Sequence, residues 1–299
     1  MSKNSFEQPI KREEPPIEEM EKKLDKAEKM VEEVEGRWKD EIEEFEIEKS
    51  VKELKKLWEE NEAGLELKDS ITVFPLFSSL PLPEIPPFLL ERTSNKFLRE
   101  FDWKKFKGRK YLNTDLGLFL SAFLNKNIER YILSQKRKEF KEGQIKPIEV
   151  HLNVKELPVV LKYLGYRNPK KLYLIIKGDV GGWTGNKMKG GEIIVKGNCN
   201  DSTGFGIQGG EITIKGNCAD YTGLGMQGGK IIVKGNCRYD TGRYMQGGEL
   251  NIKGEVESFD KSAFSSNNQG TIIWKNTKIW ENGNWTKEGK EMWERREIP

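Results

Sequence analysis

Between Leu172 and Val256 apolar and polar positions alternate in short runs that return every nineteen residues. The runs read Leu-Tyr-Leu-Ile-Ile-Lys-Gly at 172–178, Gly-Glu-Ile-Ile-Val-Lys-Gly at 191–197, Gly-Glu-Ile-Thr-Ile-Lys-Gly at 210–216, Gly-Lys-Ile-Ile-Val-Lys-Gly at 229–235 and Gly-Glu-Leu-Asn-Ile-Lys-Gly at 248–254. Ile193, Ile212, Ile231 and Leu250 share one aliphatic column, and Val195, Ile214, Val233 and Ile252 share another. The position between them accepts Ile194, Thr213, Ile232 or Asn251, and charged residues flank each run. Alternation with period two predicts a strand with one buried face. Such a face cannot bury itself, but parallel stacking of equivalent strands about 4.8 Å apart buries every column on its own neighbours. The pattern therefore predicts a parallel β-solenoid of five clear coils and a degenerate one, a rod about 25–30 Å long. Each coil has room for two or three short strands.

The glycines mark the corners. Gly178, Gly197, Gly216, Gly235 and Gly254 share a phase, as do Gly185, Gly204, Gly223 and Gly242, and again Gly190, Gly209, Gly228 and Gly247. Tight corners need positive φ or close backbone approach, and glycine supplies either. Thr184, Thr203, Thr222 and Thr241 precede one glycine column and are expected to form a hydroxyl ladder. Met188, Ile207, Met226 and Met245 read as a further inward column.

Two columns carry candidate chemistry. Cys199, Cys218 and Cys237 lie one period apart, close enough for a thiol ladder with metal or redox work. Val180 and Val256 continue the same column, however, and no Cys-x-x-Cys pair accompanies it. A position shared with valine behaves as a small buried hydrophobe. Lys177, Lys196, Lys215, Lys234 and Lys253 form an outward row. Like charges on adjacent strands repel, so the row suits an acidic partner or ligand laid along the rod. The plainer alternative is a row that keeps this face hydrated and discourages further stacking.

The runs Gly204-Phe205-Gly206-Ile207-Gln208-Gly209-Gly210 and Gly223-Leu224-Gly225-Met226-Gln227-Gly228-Gly229, followed by Gly-Asn-Cys, resemble the GXGXG domain. That right-handed β-helix forms the C-terminal domain of the glutamate synthase large subunit and most of one subunit of formylmethanofuran dehydrogenase. The resemblance covers about 172–256 and extends towards Ile148. It implies a single-stranded right-handed parallel β-helix that holds catalytic modules together while the chemistry sits in other domains or subunits. Redox or amidotransferase enzyme subunits are the partners it implies. The GXGXG motif itself supplies no catalytic, cofactor-binding or metal-binding residue, and the amidotransferase and flavin-binding regions of glutamate synthase are absent from this chain.

The remainder divides by composition. Residues 1–16 are polar and proline-containing, as a disordered tail is. Residues 17–62 read as a charged, coiled-coil-like helix, with Ile17, Met20, Leu24, Ala27, Val31, Val34 and Trp38 at steps of three and four. The register slips near Gly36 to Ile42 and resumes with Ile47, Val51, Leu54 and Trp58. This arm either self-associates, binds a partner or folds back on its own domain. Residues 63–142 read as a Pro-containing linker and helical segment, with helices over Phe88–Lys107 and Thr114–Lys141, the second capped by Asn113 or Thr114. Residues 143–171, a strand at 148–154 and a short helix at 157–164, are assigned as the N-terminal cap of the solenoid. The GXGXG β-helix then spans 172–270, and 271–299 forms a C-terminal hairpin cap and tail. Asn282-Gly283 between apolar strands predicts a tight turn, and Trp274, Trp280, Trp285 and Trp293 either seal the last coil or form a contact patch.

The chain is α+β by content, with 299 residues, 33% charged, and a net charge of +3. Residues 1–62 carry roughly eight more acidic than basic groups, leaving the rest strongly basic. Lys104, Lys105, Lys107, Arg109 and Lys110 lie beside Phe101, Trp103, Phe106 and Tyr111, a mixture compatible with nucleic acid, yet no RNA-binding motif is present and the acidic helix can neutralise it. No signal sequence or membrane span is legible, since prolines interrupt 71–90, so the expected location is the cytoplasm. His151 is the single histidine and sits on the polar side of its strand. Asp201, Asp220 and Asp240 are corner residues better suited to Asx turns than to catalysis. The sequence favours a scaffold without catalytic activity or cofactor that binds protein partners. A subunit of a formylmethanofuran-dehydrogenase-like or glutamate-synthase-like oxidoreductase, and a carbohydrate-active β-helix, are the alternatives.

Overall fold

The computed structural model describes residues 17–61, 70–107, 111–138 and 140–299. The expected disordered tail, 1–16, lies outside them. The chain divides into two compact units, Met1–Glu46 and Ile47–Pro299.

Helix α1, Ile17–Asn61, runs without a break through Gly36. In the first unit the side chains of the expected seam, Ile17 to Trp38, lie outside those described; Met30, Ile42 and Phe45 are exposed. The second half of the seam is buried. Ile47, Val51, Leu54 and Trp58 enter the core of their own unit, so this stretch is not free to pair with another chain. Trp58 packs its ring against Phe77, Phe101, Phe106 and Phe119 at centroid distances of 5.5–6.2 Å. Lys55 to Glu100, Lys96 to Glu48 and Lys105 to Glu59 add ion pairs across the same helices, so Lys105 is neutralised within the chain.

Residues 63–142, expected as a Pro-containing linker and helical segment, are mostly packed helices where described. Helices α2 (Ser70–Ser79), α3 (Leu90–Glu100) and α4 (Leu112–Arg137) surround Trp58. The proline-containing turn between α2 and α3 is fastened to α4. Lys126 donates to the carbonyls of Leu80 and Ser78, Asn127 accepts from the Ile85 amide and donates to Pro83, and Arg130 donates to Leu82. Burial, then the nearby Arg130, lowers the pKa of the Lys126 ammonium. Helix α3 stops at Glu100, short of the expected Lys107, because Phe101 turns extended to place its ring on Trp58. Helix α4 begins at Leu112 with Tyr111 as its N-cap and no side-chain cap. Asn113 and Thr114 therefore lie inside the helix.

The rest is a parallel β-solenoid of about five turns, supplying one nine-stranded sheet in sequence order. Strands β1 (Ile148–Asn153), β2 (Leu172–Lys177), β3 (Glu192–Val195), β4 (Glu211–Ile214), β5 (Lys230–Val233), β6 (Glu249–Ile252) and β7 (Thr271–Trp274) pair in parallel. Register keeps like on like, with Ile193 on Ile212, Ile212 on Ile231 and Ile231 on Leu250. The two aliphatic columns and the Met188, Ile207, Met226 and Met245 column are buried. Each turn contributes one regular strand where two or three were expected. Its glycine-rich remainder adopts left-handed corners instead, yet still bonds to its neighbours, as in Gly204 N–H to Thr184 O at 2.8 Å and Gly223 N–H to Thr203 O at 2.9 Å.

Residues 143–171, expected as the N-terminal cap of the solenoid, carry the first rung of its ladder. β1 pairs with β2 from Ile148 on Leu172 to Asn153 on Lys177, and 157–164 is a series of turns without a helix. Tyr163 stacks on Trp183 of the next turn, rings 5.7 Å apart and nearly coplanar. The open edge is closed by α3 and α4. Glu91 accepts from the His151 amide, and Asn95 accepts from Asn153 N–H and donates to His151 O. Ser121 donates to Tyr163 O and accepts from Gly165 N–H, while Asn125 donates to Tyr166 O. An unpaired sheet edge is a template for aggregation, and here helix side chains take the place of the missing strand.

At the other end β8 (Thr277–Glu281) and β9 (Asn284–Trp285) turn back antiparallel, followed by α5 (Lys287–Glu294). Asn282 and Gly283 at φ 48° and 79° make the expected tight turn, and Lys275-Asn276 make a second at 48° and 65°. Trp274 and Trp280 are buried, each indole N–H bonded to a carbonyl; Trp285 stacks on Phe264, and Trp293 stays half-exposed at the rim.

Ser121→Ala leaves the buried Gly165 amide without its partner and removes one of the two hydrogen bonds on the Tyr163 carbonyl, which keeps that from Tyr166 N–H. A loss of about 2 kcal/mol in chemical denaturation is expected; a change under a few tenths would show that α4 does not close the solenoid edge.

Candidate functional site

The glycine columns hold the corners in two ways. Gly204, Gly223 and Gly242 lie at φ 71°, 74° and 74°, where a side chain is strained. Gly197, Gly216 and Gly235 sit against the turn before, where a Cβ would collide with its backbone. Gly209, Gly228 and Gly247 similarly abut the carbonyls of Lys189, Gln208 and Gln227.

Close approach at Gly216 permits a contact that sequence reasoning missed. Asp179, Asn198, Asn217 and Asn236 form a ladder in which each side-chain oxygen accepts the backbone N–H one turn on. The bonds run from Asn198 to Asp179 (2.7 Å), Asn217 to Asn198 (2.9 Å), Asn236 to Asn217 (2.8 Å) and Glu255 to Asn236 (2.8 Å). The signal was present as the repeated Gly-Asn-Cys, with Asn in constant phase. The corner aspartates behave alike. Asp201 accepts from Asp220 N–H and Asp220 from Tyr239 N–H, so they bond between turns, where turn-internal Asx bonds were expected. Asp240 instead pairs with Arg243.

Cys199, Cys218 and Cys237 are free and buried, continued by Val180 and Val256. Burial pushes the Cys199 thiol up, and hydrogen bonding to Cys218, then burial, does the same for Cys237. Cys218 accepts from both neighbours and is held down. The threonines do not bond to one another. Each hydroxyl of Thr184, Thr203, Thr222 and Thr241 donates to the carbonyl three residues earlier. The hydroxyl closes its own corner, because the buried Oγ1 reaches that carbonyl without leaving the turn. Among the described residues, no cluster of three or more His, Cys, Asp or Glu could hold a metal ion.

The outer face of the sheet carries three parallel rows. Lys177, Lys196, Lys215 and Lys234 are exposed and make no ion pair among the described residues, while Lys253 donates to Asn276 at 2.7 Å. A half-buried aliphatic stripe of Ile175, Ile194, Ile232 and Ile273 runs beside them, interrupted by Thr213 and Asn251. The far row is mainly acidic. Glu192 lies on Glu211, and Lys230 bonds Glu249 at 3.2 Å. Glu192 is raised above the usual carboxylate range by burial, then by Glu211 and Glu149.

The ladder continues to His151 on β1, whose Nε2 meets the Glu149 carboxylate at 2.5 Å. A cleft of about 520 Å³ opens here between α3 and the first rung, where Glu91, Arg99, Trp103, Glu156 and Lys177 surround His151. The structure brings His151 and Lys177 to one cleft but keeps the cysteine column away from it, inside the coil. No protein-family model matches the chain, and neither a curated protein nor a solved structure matches it. Among the described residues no helix is long and apolar enough to cross a membrane.

Cys218→Val places in the middle of the column the residue found near both of its ends. A stability loss below about 1.5 kcal/mol is expected, as for other volume-conserving core changes; a much larger one means the thiol contributes something valine cannot. Glu192 gives a pH-dependent case. Its raised value means the native state holds the proton more tightly, so its contribution is present at low pH and lost as pH rises through the folded-state value. Glu192→Gln should therefore stabilise at pH 7 by about 0.5 kcal/mol and do nothing at pH 3. Equal effects at both pH values would remove charge repulsion as the cause.

Proposed function

We propose that the chain is a non-catalytic scaffold of the GXGXG type, a right-handed β-helix with nineteen-residue coils that binds protein partners on its outer sheet face. The observation that carries this reading is the row of four unpaired lysines beside an aliphatic stripe on a rigid ladder. Successive rungs root these four side chains about 4.8 Å apart, a crowding of like charge whose repulsion a mostly acidic surface would relieve. An extended acidic element with an apolar edge is the complementary partner.

The phase-locked Gly204 and Gly223 motifs favour, as a second reading, a non-catalytic subunit of a glutamate-synthase-like or formylmethanofuran-dehydrogenase-like complex. Both readings place the protein in the cytoplasm, where three unoxidised buried thiols are at home. Residues 17–46, with Met30, Ile42 and Phe45 exposed, supply the coiled-coil contact for self-association. The corner aspartates, occupied by inter-turn bonds, give no support to a carbohydrate-cleaving role.

The test is partner retention from the native cell. Immobilised protein should hold a stoichiometric partner that elutes with rising salt and is lost when Lys196, Lys215 and Lys234 are all changed to Glu. Undiminished retention by the triple variant, at unchanged thermal stability, would remove the lysine face from the account.

A further inference from the structure

A second face of the solenoid, away from the lysine row, holds a trough of about 470 Å³. Its axis follows five equivalent corner residues, Arg167, Lys187, Gly206, Gly225 and Tyr244, all left-handed at φ 52° to 60°. Glycine occupies such a corner freely, whereas a side chain there is strained. The two central corners are glycine, and a Cβ on either would meet no atom nearer than 3.8 Å. Space alone therefore does not forbid side chains at the centre, and the strain is borne only at the two ends.

What stands at those ends is chemically distinct. Arg167 and Lys187 place two cations at one end with no ion pair among the described residues. Tyr244 stands at the other, exposed, with its amide held by Ser262 Oγ at 2.7 Å and its ring beside the Arg243 guanidinium at 5.0 Å. Between them Gln208, Gln227 and Gln246 present a row of exposed side-chain amides without partners among the described residues, and Phe205 adds a ring face. No carboxylate lines the trough. Over five rungs, four spacings of about 4.8 Å, it extends about 19 Å.

From this arrangement we infer that the trough binds an acidic oligosaccharide, its anionic group on Arg167 and Lys187 and its hydroxyls along the glutamine row. Amides both donate and accept, as hydroxyl-rich chains require, and aromatic faces serve sugar rings. Arg243 at the Tyr244 end is already paired with Asp240 and Asp260, so the cations left for a ligand stand at one end, whereas a polynucleotide needs charge along its length. An extended peptide would seek free backbone groups, and the corner amides here already bond to neighbouring turns, as in Gly206 N–H to Leu224 O and Gly225 N–H to Arg243 O. The absence of a carboxylate pair in the trough makes this binding without glycosidic cleavage. The inference is independent of the partner-binding role given to the lysine face.

Calorimetric titration of the full chain with a short oligogalacturonate tests it, beside the methyl-esterified neutral form and an oligoglutamate peptide. Saturable binding of the acid is expected, with the ester at least about tenfold weaker and the peptide not bound. Lys187→Gly and Tyr244→Gly remove the ligand contacts while relaxing the left-handed corners, so Tm should hold or rise while affinity for the acid falls about tenfold or more. Failure of the acid to bind, equal binding of the ester, binding of the peptide in its place, or full affinity in both glycine variants each overturns the inference.

Discussion

The whole solenoid depends on one constraint: each turn finds its hydrogen-bond partners and its apolar neighbours in the turns above and below. Ile212 packs between Ile193 and Ile231, and the Asn217 amide bonds Asn198 while its own side chain receives Asn236. No single turn buries its own strand face, so stability is a property of the stack. The constraint reaches round the corners because Gly197, Gly216 and Gly235 let neighbouring backbones approach closely enough for the asparagine ladder. It also explains the buried cysteines. A column that must repeat in size accepts valine and cysteine alike, and the internal thiols fill space between Val180 and Val256.

A stack with ends must satisfy them. The helical region answers at the first rung, with Glu91 and Asn95 bonding the exposed edge of β1 and Ser121 and Asn125 bonding the corners that follow. Trp58 holds α2 and α4 together from the end of α1, so the charged arm is continuous with the closure of the solenoid edge. At the last rung the chain reverses through two tight turns, and Trp274, Trp280, Trp285 and Phe264 cover the core. The two closures differ because one must terminate a parallel ladder with polar side chains, while the other converts it into an antiparallel hairpin.

The repeat was legible because its physics is local and periodic: alternation, glycine phase and the Asn282-Gly283 turn each rest on a few adjacent residues. The edge closure was illegible because Asn95 and Asn153 lie 58 positions apart and no periodicity links them. Residues 143–171 read only as a cap because their corners stand one residue further from the next turn than the repeat sets, although the left-handed corners at Tyr163, Gly165 and Arg167 match those at Trp183, Gly185 and Lys187. Ile47, Val51, Leu54 and Trp58 carried a seam pattern that fits a coiled coil and a core-facing helix equally, and only the aromatic neighbours distinguish them. The trough escaped for a related reason. Gln208, Gln227 and Gln246 repeat in phase, as do Lys187, Gly206, Gly225 and Tyr244, but Arg167 joins them only once the first, longer turn is folded.

Both proposed roles rest on surfaces that a stiff ladder can hold in place, with the lysine row on one face and the glutamine row on another. Their common foundation is contact between turns all the way round the coil, and amide hydrogen exchange on the full chain measures that contact residue by residue. The corner amides of Asn217, Cys218 and Gly223 should be as strongly protected as the strand amides of Ile212 and Ile214, since all bond to neighbouring turns. Corners exchanging at the rate of open loops, beside protected strands, would mean that the turns touch only through their sheet and would contradict the account.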